Sequence, residues 1–170
     1  DRMTRIVDDL LGLRAIERAG LILADCRIDE IAEQCAADLR VAHPSGLFLT
    51  RTEPCTARVD RDLFIQSVMA LGSNAVDHSF SDVTVTIATT RANGTARIEV
   101  RDNGPGIESR HHSRIFERLY RVDHGRNGLS GRSGLGLSIV AAIVDAHGGS
   151  YGVESCLLYT SPSPRDGLLS

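Results

Sequence analysis

Four short segments carry residue types that could act on phosphates and on a flat amine-bearing ring. Asn74 lies in the helical stretch SNAVDHS. Its amide carbonyl could ligate Mg²⁺, a hard cation that prefers oxygen and brings phosphates with it; a surface or capping Asn is the plain alternative. Asp102-Asn103-Gly104-Pro105-Gly106-Ile107 follows an alternating run directly. A carboxylate there can accept a hydrogen bond from an exocyclic amine, while Gly104 and Gly106 let backbone approach a ring closely. An ordinary Asp-Asn-Gly-Pro turn has the same composition. Gly134-Leu135-Gly136-Leu137 opens a helix, where free N–H groups and the positive dipole end favour phosphate; glycines also start helices for packing reasons alone. Between these lies RIFERLYR, Arg114 to Arg121, followed by the glycine-rich, basic HGRNGLSGRSG, the composition of a mobile lid over a triphosphate.

Elements to position these groups are readable from periodicity. Residues 2–18 place Met3, Ile6, Val7, Leu10, Leu13 and Ile16 on one stripe, the pattern of an amphipathic helix with a narrow seam suited to a bundle or dimer. After Gly20 a short strand is expected to run into a second helix, with Ile28, Ile31, Cys35 and Leu39 on one face. His43-Pro44-Ser45-Gly46 reads as a turn. LFLT and Cys55–Val59 are strand candidates, and Asp60 can cap the helix that carries Asn74, whose apolar positions are Leu63, Ile65, Val68, Met69 and Ala75. Two alternating runs, 83–90 and 96–102, meet across Arg91-Ala92-Asn93-Gly94, and Asn-Gly between such runs signals a hairpin. A short helical piece is expected around SRIFERLYR, and a final helix over LGLSIVAAIVDAHGG. Helices and hairpin strands without a βαβ repeat favour an α+β two-layer domain.

Composition narrows the classes. Of 170 residues, 42% are hydrophobic and 24% charged, the balance of a globular chain with a core to bury. With no Trp the core must be mostly aliphatic. A formal charge of −3 offers no basic footprint for nucleic acid. No run of about 20 apolar residues is present to span a bilayer. Cys26, Cys35, Cys55 and Cys156 are scattered without metal-ligand spacing, so they read as small buried hydrophobes in a reducing compartment.

In order and spacing, SNAVDHS, DNGPGI, IFERLYRVD and GLGLSIV resemble the N, G1, F and G2 boxes of the sensor histidine kinases of two-component systems. These belong to the wider GHKL superfamily with gyrase, Hsp90 and MutL. RMTRIVDDLL resembles the end of the second helix of that family's dimerisation and phosphoacceptor domain. The resemblance covers about residues 1–155. It implies residues 1–19 as the end of that helix, and 20–155 as an ATP-binding catalytic domain: a two-layer α/β sandwich with a mixed, mostly antiparallel sheet and helices on one face. It further implies ATP and Mg²⁺ as cofactors, with Asn74 ligating the metal. Asp102 would read the adenine amino group, and Gly104, Gly106 and Ile107 would shape the pocket. Phe116 would anchor the lid, Arg118 or Arg121 would reach the γ-phosphate, and Gly134, Leu135, Gly136 and Leu137 would offer backbone N–H groups.

Departures from the pattern are informative. The family often has Asn one turn before Asn74, where this chain has Ala70, and a Lys or Arg three residues after, where it has Asp77. An anion there would repel a triphosphate unless it points to solvent. The superfamily's ATPases carry a Glu at the Ala70 position to activate water, a role Ala cannot fill. The resemblance therefore implies phosphoryl transfer to a His on an upstream helix, relay to a response regulator, homodimerisation through the bundle helices, and a cytoplasmic domain of a membrane-anchored parent. Two alternatives stand beside it: a degenerate nucleotide-binding or dimerisation module, and a serine kinase of the anti-sigma-factor type. None of the six histidines lies in a phosphoacceptor-type helix; His111, His112 and His147 read as surface or helix-end residues. Residues 156–170, CLLYTSPSPRDGLLS, resemble a translated sequencing adapter and are expected to be a read-through tail in place of a closing strand.

Overall fold

The computed structural model describes residues 20–79, 82–122 and 134–155. The amphipathic helix expected over 2–18, the glycine-rich stretch after RIFERLYR and the tail from 156 fall outside the described residues. In chain order the elements are β1 (Leu23–Arg27), α1 (Ile28–Ala42), β2 (Leu47–Thr52), β3 (Thr56–Asp60), α2 (Arg61–His78), β4 (Thr84–Ala92), β5 (Thr95–Asp102), α3 (Ser109–His112) and α4 (Gly136–Ala146).

The strands form two sheets. β1 pairs antiparallel with β3, Cys26 opposite Ala57. β2, β4 and β5 form the other in that order, β2 parallel to β4 with Phe48 opposite Val85, and β4 antiparallel to β5. The hairpin turns on Asn93 and Gly94, with φ of 53° and 79°. Two consecutive left-handed residues match the right-handed strand twist, which is why Asn-Gly serves here. The strands extend to Ala92 and from Thr95, further into the turn than the sequence reading drew them.

Alternation decides which face is buried. Val85, Ile87 and Thr89 of β4 point into the core with Phe48 of β2, against Ile31, Cys35, Leu39 and Val68 from α1 and α2. The helices thus lie on one face of the larger sheet, as an α+β two-layer domain requires. The expected stripe Ile28, Ile31, Cys35 and Leu39 is fully buried. Burial pushes the Cys35 thiol up to about 11, so it acts as a small hydrophobe. In α2 the periodic apolar positions missed the two small residues Ser67 and Gly72, both buried. Gly72 is where α2 meets α1: a methyl added there would land on the Leu39 side chain. Along β2, Leu47 donates its N–H to Val83 O at 2.9 Å, so Phe48 turns its carbonyl away from β4. Arg40 of α1 meets that carbonyl with two N–H groups, at 2.8 and 3.1 Å.

Capping follows the sequence signals. The Asp60 carboxylate accepts from Leu63 N at 3.3 Å at the start of α2, and from Ile22 N at 2.9 Å. α4 ends in a Schellman arrangement: Gly148, φ 66°, donates to Asp145 O and Gly149 to Val144 O.

Asp29, in the first turn of α1, is buried and bonded on two sides. The Arg27 guanidinium and the Cys55 N–H hold its carboxyl far below the usual carboxylate range. A carboxyl depressed in the fold stabilises fully above its unfolded value of about 3.9 and loses that contribution as pH falls further. Asp29→Asn is therefore expected to lower the melting temperature near neutral pH and to make the acid decline below about pH 4 shallower. Thermal melts across pH check this; identical wild-type and variant profiles would contradict it.

Candidate nucleotide site

The site is assembled at the C-terminal end of α2. Asn74 is half-buried there, and its amide makes no hydrogen bond to a described residue. One turn on, Ser79 donates its hydroxyl to Ala75 O at 2.7 Å and closes the helix. Against this end sits the loop leaving β5. Gly104 is buried there: a Cβ would lie 2.6 Å from Asp102 Oδ1 and 3.0 Å from Ser79 Oγ. A side chain there would push the Asp102 carboxylate aside, and the close approach to Ser79 brings the Asp102 loop and the Asn74 helix together.

Asp102 ends β5 with its side chain exposed. Oδ1 accepts from Gly104 N at 2.8 Å, a local turn that orients the carboxylate and leaves Oδ2 without a described partner. The loop is pinned by Asn103, which the sequence reading passed over as a turn residue. Its Oδ1 accepts from Thr84 N at 2.8 Å, and its Nδ2 donates to Asp82 O at 2.9 Å. Gly106 has φ 81°, a left-handed conformation suited to glycine. Ile107 is half-buried and donates its N–H to Ser155 Oγ at 2.7 Å.

The segment RIFERLYR differs from the expected helix. The helix here is Ser109–His112, and from Arg114 the bonds run mostly to the third residue back: Arg114 N to His111 O, Glu117 N to Arg114 O, Tyr120 N to Glu117 O. Such turns keep Phe116 half-buried, its ring 4.7 Å from that of Tyr151. Arg118 and Arg121 are exposed. His111 and His112 are half-buried, each with a ring nitrogen bonded: His111 Nδ1 to Tyr120 OH at 2.6 Å, His112 Nε2 to Ile107 O at 2.9 Å. Beyond them, Leu119 donates its N–H to Gly134 O at 3.1 Å and closes a neck in the backbone.

α4 begins at Gly136, and its N-cap residue Leu135 makes no side-chain cap bond. Among the described residues, a Cβ at Gly136 would meet nothing within 4 Å. Leu135, by contrast, turns its side chain into the core with Ile139, Ile143 and Leu63. Leu137 is half-buried. The far end of α4 is tied to the start of α2 by Asp60 N donating to His147 Nε2 at 2.9 Å, while His147 Nδ1 bonds Ile143 O at 2.7 Å. The two packed helices therefore run antiparallel. Gly104 against Ser79 thus brings the Asp102 loop to the end of the helix that bears Asn74. Asp77 is exposed on the last turn of α2.

A carboxylate beside a buried glycine, an amide on the adjoining helix and a glycine-flanked helix start are the groups expected for adenine, a phosphate-bound cation and phosphate. Residues 59–165 match the family model described as histidine kinase-, DNA gyrase B- and HSP90-like ATPase. The chain belongs to that ATPase family. Its matched span ends inside the terminal stretch 156–170. Curated relatives place the family member further. The sensor protein IrlS of Burkholderia pseudomallei is 36% identical over 157 residues, 91% of this chain and 34% of that protein. The probable sensor histidine kinase TcrY of Mycobacterium tuberculosis is 34% identical, over 97% of this chain and 35% of that protein. The chain spans about a third of the length of these relatives. Among solved structures, full-length ShkA in complex with AMPPNP superposes with a TM-score of 0.76 at 26% identity, covering 91% of this chain and 33% of that one. The mycobacterial sensor histidine kinase MprB gives 0.68 at 25% identity, over 75% of this chain and 83% of that one. This member of the ATPase family has the fold of a sensor histidine kinase's ATP-binding catalytic domain. No helix among its described residues is long and apolar enough to cross a membrane.

Proposed function

We propose that this domain binds Mg·ATP and, in its parent protein, transfers the γ-phosphoryl group to a histidine on a bundle helix upstream of Asp1. The observation that carries the reading is Asp102: one carboxylate oxygen is tied to Gly104 and the other faces outward, beside the helix bearing Asn74. Oδ2 would accept from the adenine amino group, with Gly106 and Ile107 shaping the pocket wall. The Asn74 amide, without a hydrogen-bond partner among the described residues, fits a Mg²⁺ that takes most of its ligands from phosphate and water. When bound, the cation would neutralise charge on the phosphates. Gly134, Gly136 and the backbone of Leu135 and Leu137 would donate N–H groups to them. Phe116 would anchor the lid on Tyr151, and Arg118 or Arg121 would reach the γ-phosphoryl oxygens. Ala70 offers no carboxylate for activating water, which favours transfer to a protein side chain over hydrolysis. The same reading makes residues 1–19 the end of a dimerisation helix and 156–170 a non-native tail. It makes the parent a homodimer, anchored in the membrane with this domain in the cytoplasm and a response regulator as phosphoryl acceptor.

Titration calorimetry of the chain with Mg·ADP and with a non-hydrolysable ATP analogue tests binding. Phosphotransfer is then measured after restoring the upstream helix. A folded chain that binds neither nucleotide leaves the degenerate-module reading, which Asp77 favours. Asp77 is exposed, so replacing it should not disturb the core. Asp77→Lys exchanges a repelling charge for an attracting one, and should tighten triphosphate binding about five- to tenfold at low salt. An affinity unchanged between low and high salt in both proteins would show that residue 77 does not sense the phosphates.

A further inference from the structure

The two histidines before the turns of RIFERLYR are unused by the nucleotide reading, yet both join parts of the site. α3 is a single turn, and its adjacent rings point to different loops. His112 bonds Ile107 O, on the adenine side. His111 bonds the Tyr120 hydroxyl through Nδ1, and its Nε2 accepts from Arg110 Nε at 3.3 Å. Tyr120 is held on its face as well, with the Arg114 guanidinium 4.3 Å above the ring centre.

The neighbour of Tyr120 shows what this holds. Leu119 has φ 64°, a left-handed backbone that side-chain-bearing residues rarely adopt, and the residue is 63% exposed. Burial of the leucine does not explain the conformation. Its backbone bond does: the Leu119 N–H reaches Gly134 O. Gly134 is itself left-handed, φ 70°, and a Cβ there would meet Leu119 and Tyr120 backbone atoms at 3.3 Å. Gly134 leads through Leu135 into Gly136, the first residue of α4. A line of contacts therefore runs from His111 through Tyr120 and Leu119 to Gly134, two residues before the start of α4.

We propose that His111 and Tyr120 are a positioning pair that fixes the phosphate-side glycines through the Leu119–Gly134 bond, an inference that rests on the nucleotide reading above. Neither residue touches the reacting atoms in this role. They hold a strained backbone joint that otherwise relaxes, and the relaxed joint displaces the N–H groups of α4 from the triphosphate.

The test compares the full chain with Tyr120→Phe, which keeps the ring under Arg114 and removes the hydroxyl, with His111→Ala, and with the double variant. AMP-PNP with Mg²⁺ is titrated by calorimetry, adenosine by NMR shift changes, and Leu119 amide exchange is followed in the same spectra. Each single variant is expected to weaken AMP-PNP about three- to tenfold, the scale of one net hydrogen bond. Adenosine affinity should hold, the Leu119 amide should exchange faster, and the double variant should lose no more than either single one, since the pair acts as a unit. Unchanged AMP-PNP affinity in Tyr120→Phe overturns the proposal. So does equal weakening of AMP-PNP and adenosine, the signature of general destabilisation. Should Tyr120→Phe melt early, His111→Gln carries the same comparison. Failure of the folded wild-type chain to bind any nucleotide sinks the nucleotide reading and the pair's role with it, which is distinct from failure in the variants alone.

Discussion

Asp102→Asn is expected to weaken nucleotide binding about ten- to a hundredfold while leaving the fold intact, measured by calorimetry with Mg·ADP beside circular dichroism. The substitution is isosteric, and an Asn Oδ1 can still accept from Gly104 N, the 2.8 Å bond that shapes the loop. Asn103 continues to pin that loop to Thr84 and Asp82. What changes is the outward atom. A carboxylate oxygen that accepts becomes an amide nitrogen that donates, and it then faces the donating amine of adenine. A hydrogen bond to a charged acceptor contributes about 1.5–3 kcal/mol, and donor against donor adds repulsion to its loss. Retained affinity in the variant would falsify the assignment of Asp102 to the base.

A stability effect of comparable size is expected at the α1–α2 contact. Leu39 is fully buried, and Leu39→Ala should reduce unfolding free energy by about 2–5 kcal/mol, from lost transfer energy plus the cavity left behind. That is a large part of the roughly 5–15 kcal/mol a domain holds. Gly72→Ala alone should destabilise by about 1–3 kcal/mol through overpacking, offset by about 1 kcal/mol of improved helix propensity. Combined, the new methyl occupies space that Leu39 vacates, so the double variant should be more stable than Leu39→Ala alone. Chemical denaturation of all four proteins reads this directly. Strict additivity of the two losses would mean that the side chains do not share that space.

Local signals were legible in the sequence where one element decides the outcome by itself. The stripe Ile28, Ile31, Cys35 and Leu39, the Asp60 cap and the Asn93-Gly94 hairpin all rest on contacts within a few residues or on a single face. Legibility fails where distant segments meet. Asn103 looks like a turn residue until Thr84 is beside it, 19 positions away. Phe116 reads as a lid anchor, but nothing local says that Tyr151 is its partner. RIFERLYR has helical spacing at Ile115 and Leu119, and the backbone bond from Leu119 to Gly134 overrides it. The site itself was legible as motifs in order. The contacts between those segments were not, because Gly104 against Ser79 and His147 against Asp60 are tertiary contacts that periodicity does not encode.

The Arg40 clamp on Phe48 has a bearing on how this domain behaves at high concentration. Among the described residues β2 is an outer strand of its sheet, and Leu47 and Leu49 are exposed along it. An outer strand with apolar side chains and free backbone groups is a template for pairing with another copy, the first step of edge-to-edge aggregation. Two guanidinium N–H groups already fill the Phe48 carbonyl, the acceptor in the most apolar part of that strand. An incoming strand must displace a charge-assisted bond and bring its own backbone against a cation. Solubility of the domain therefore depends on a residue of α1, outside both the sheet and the nucleotide site.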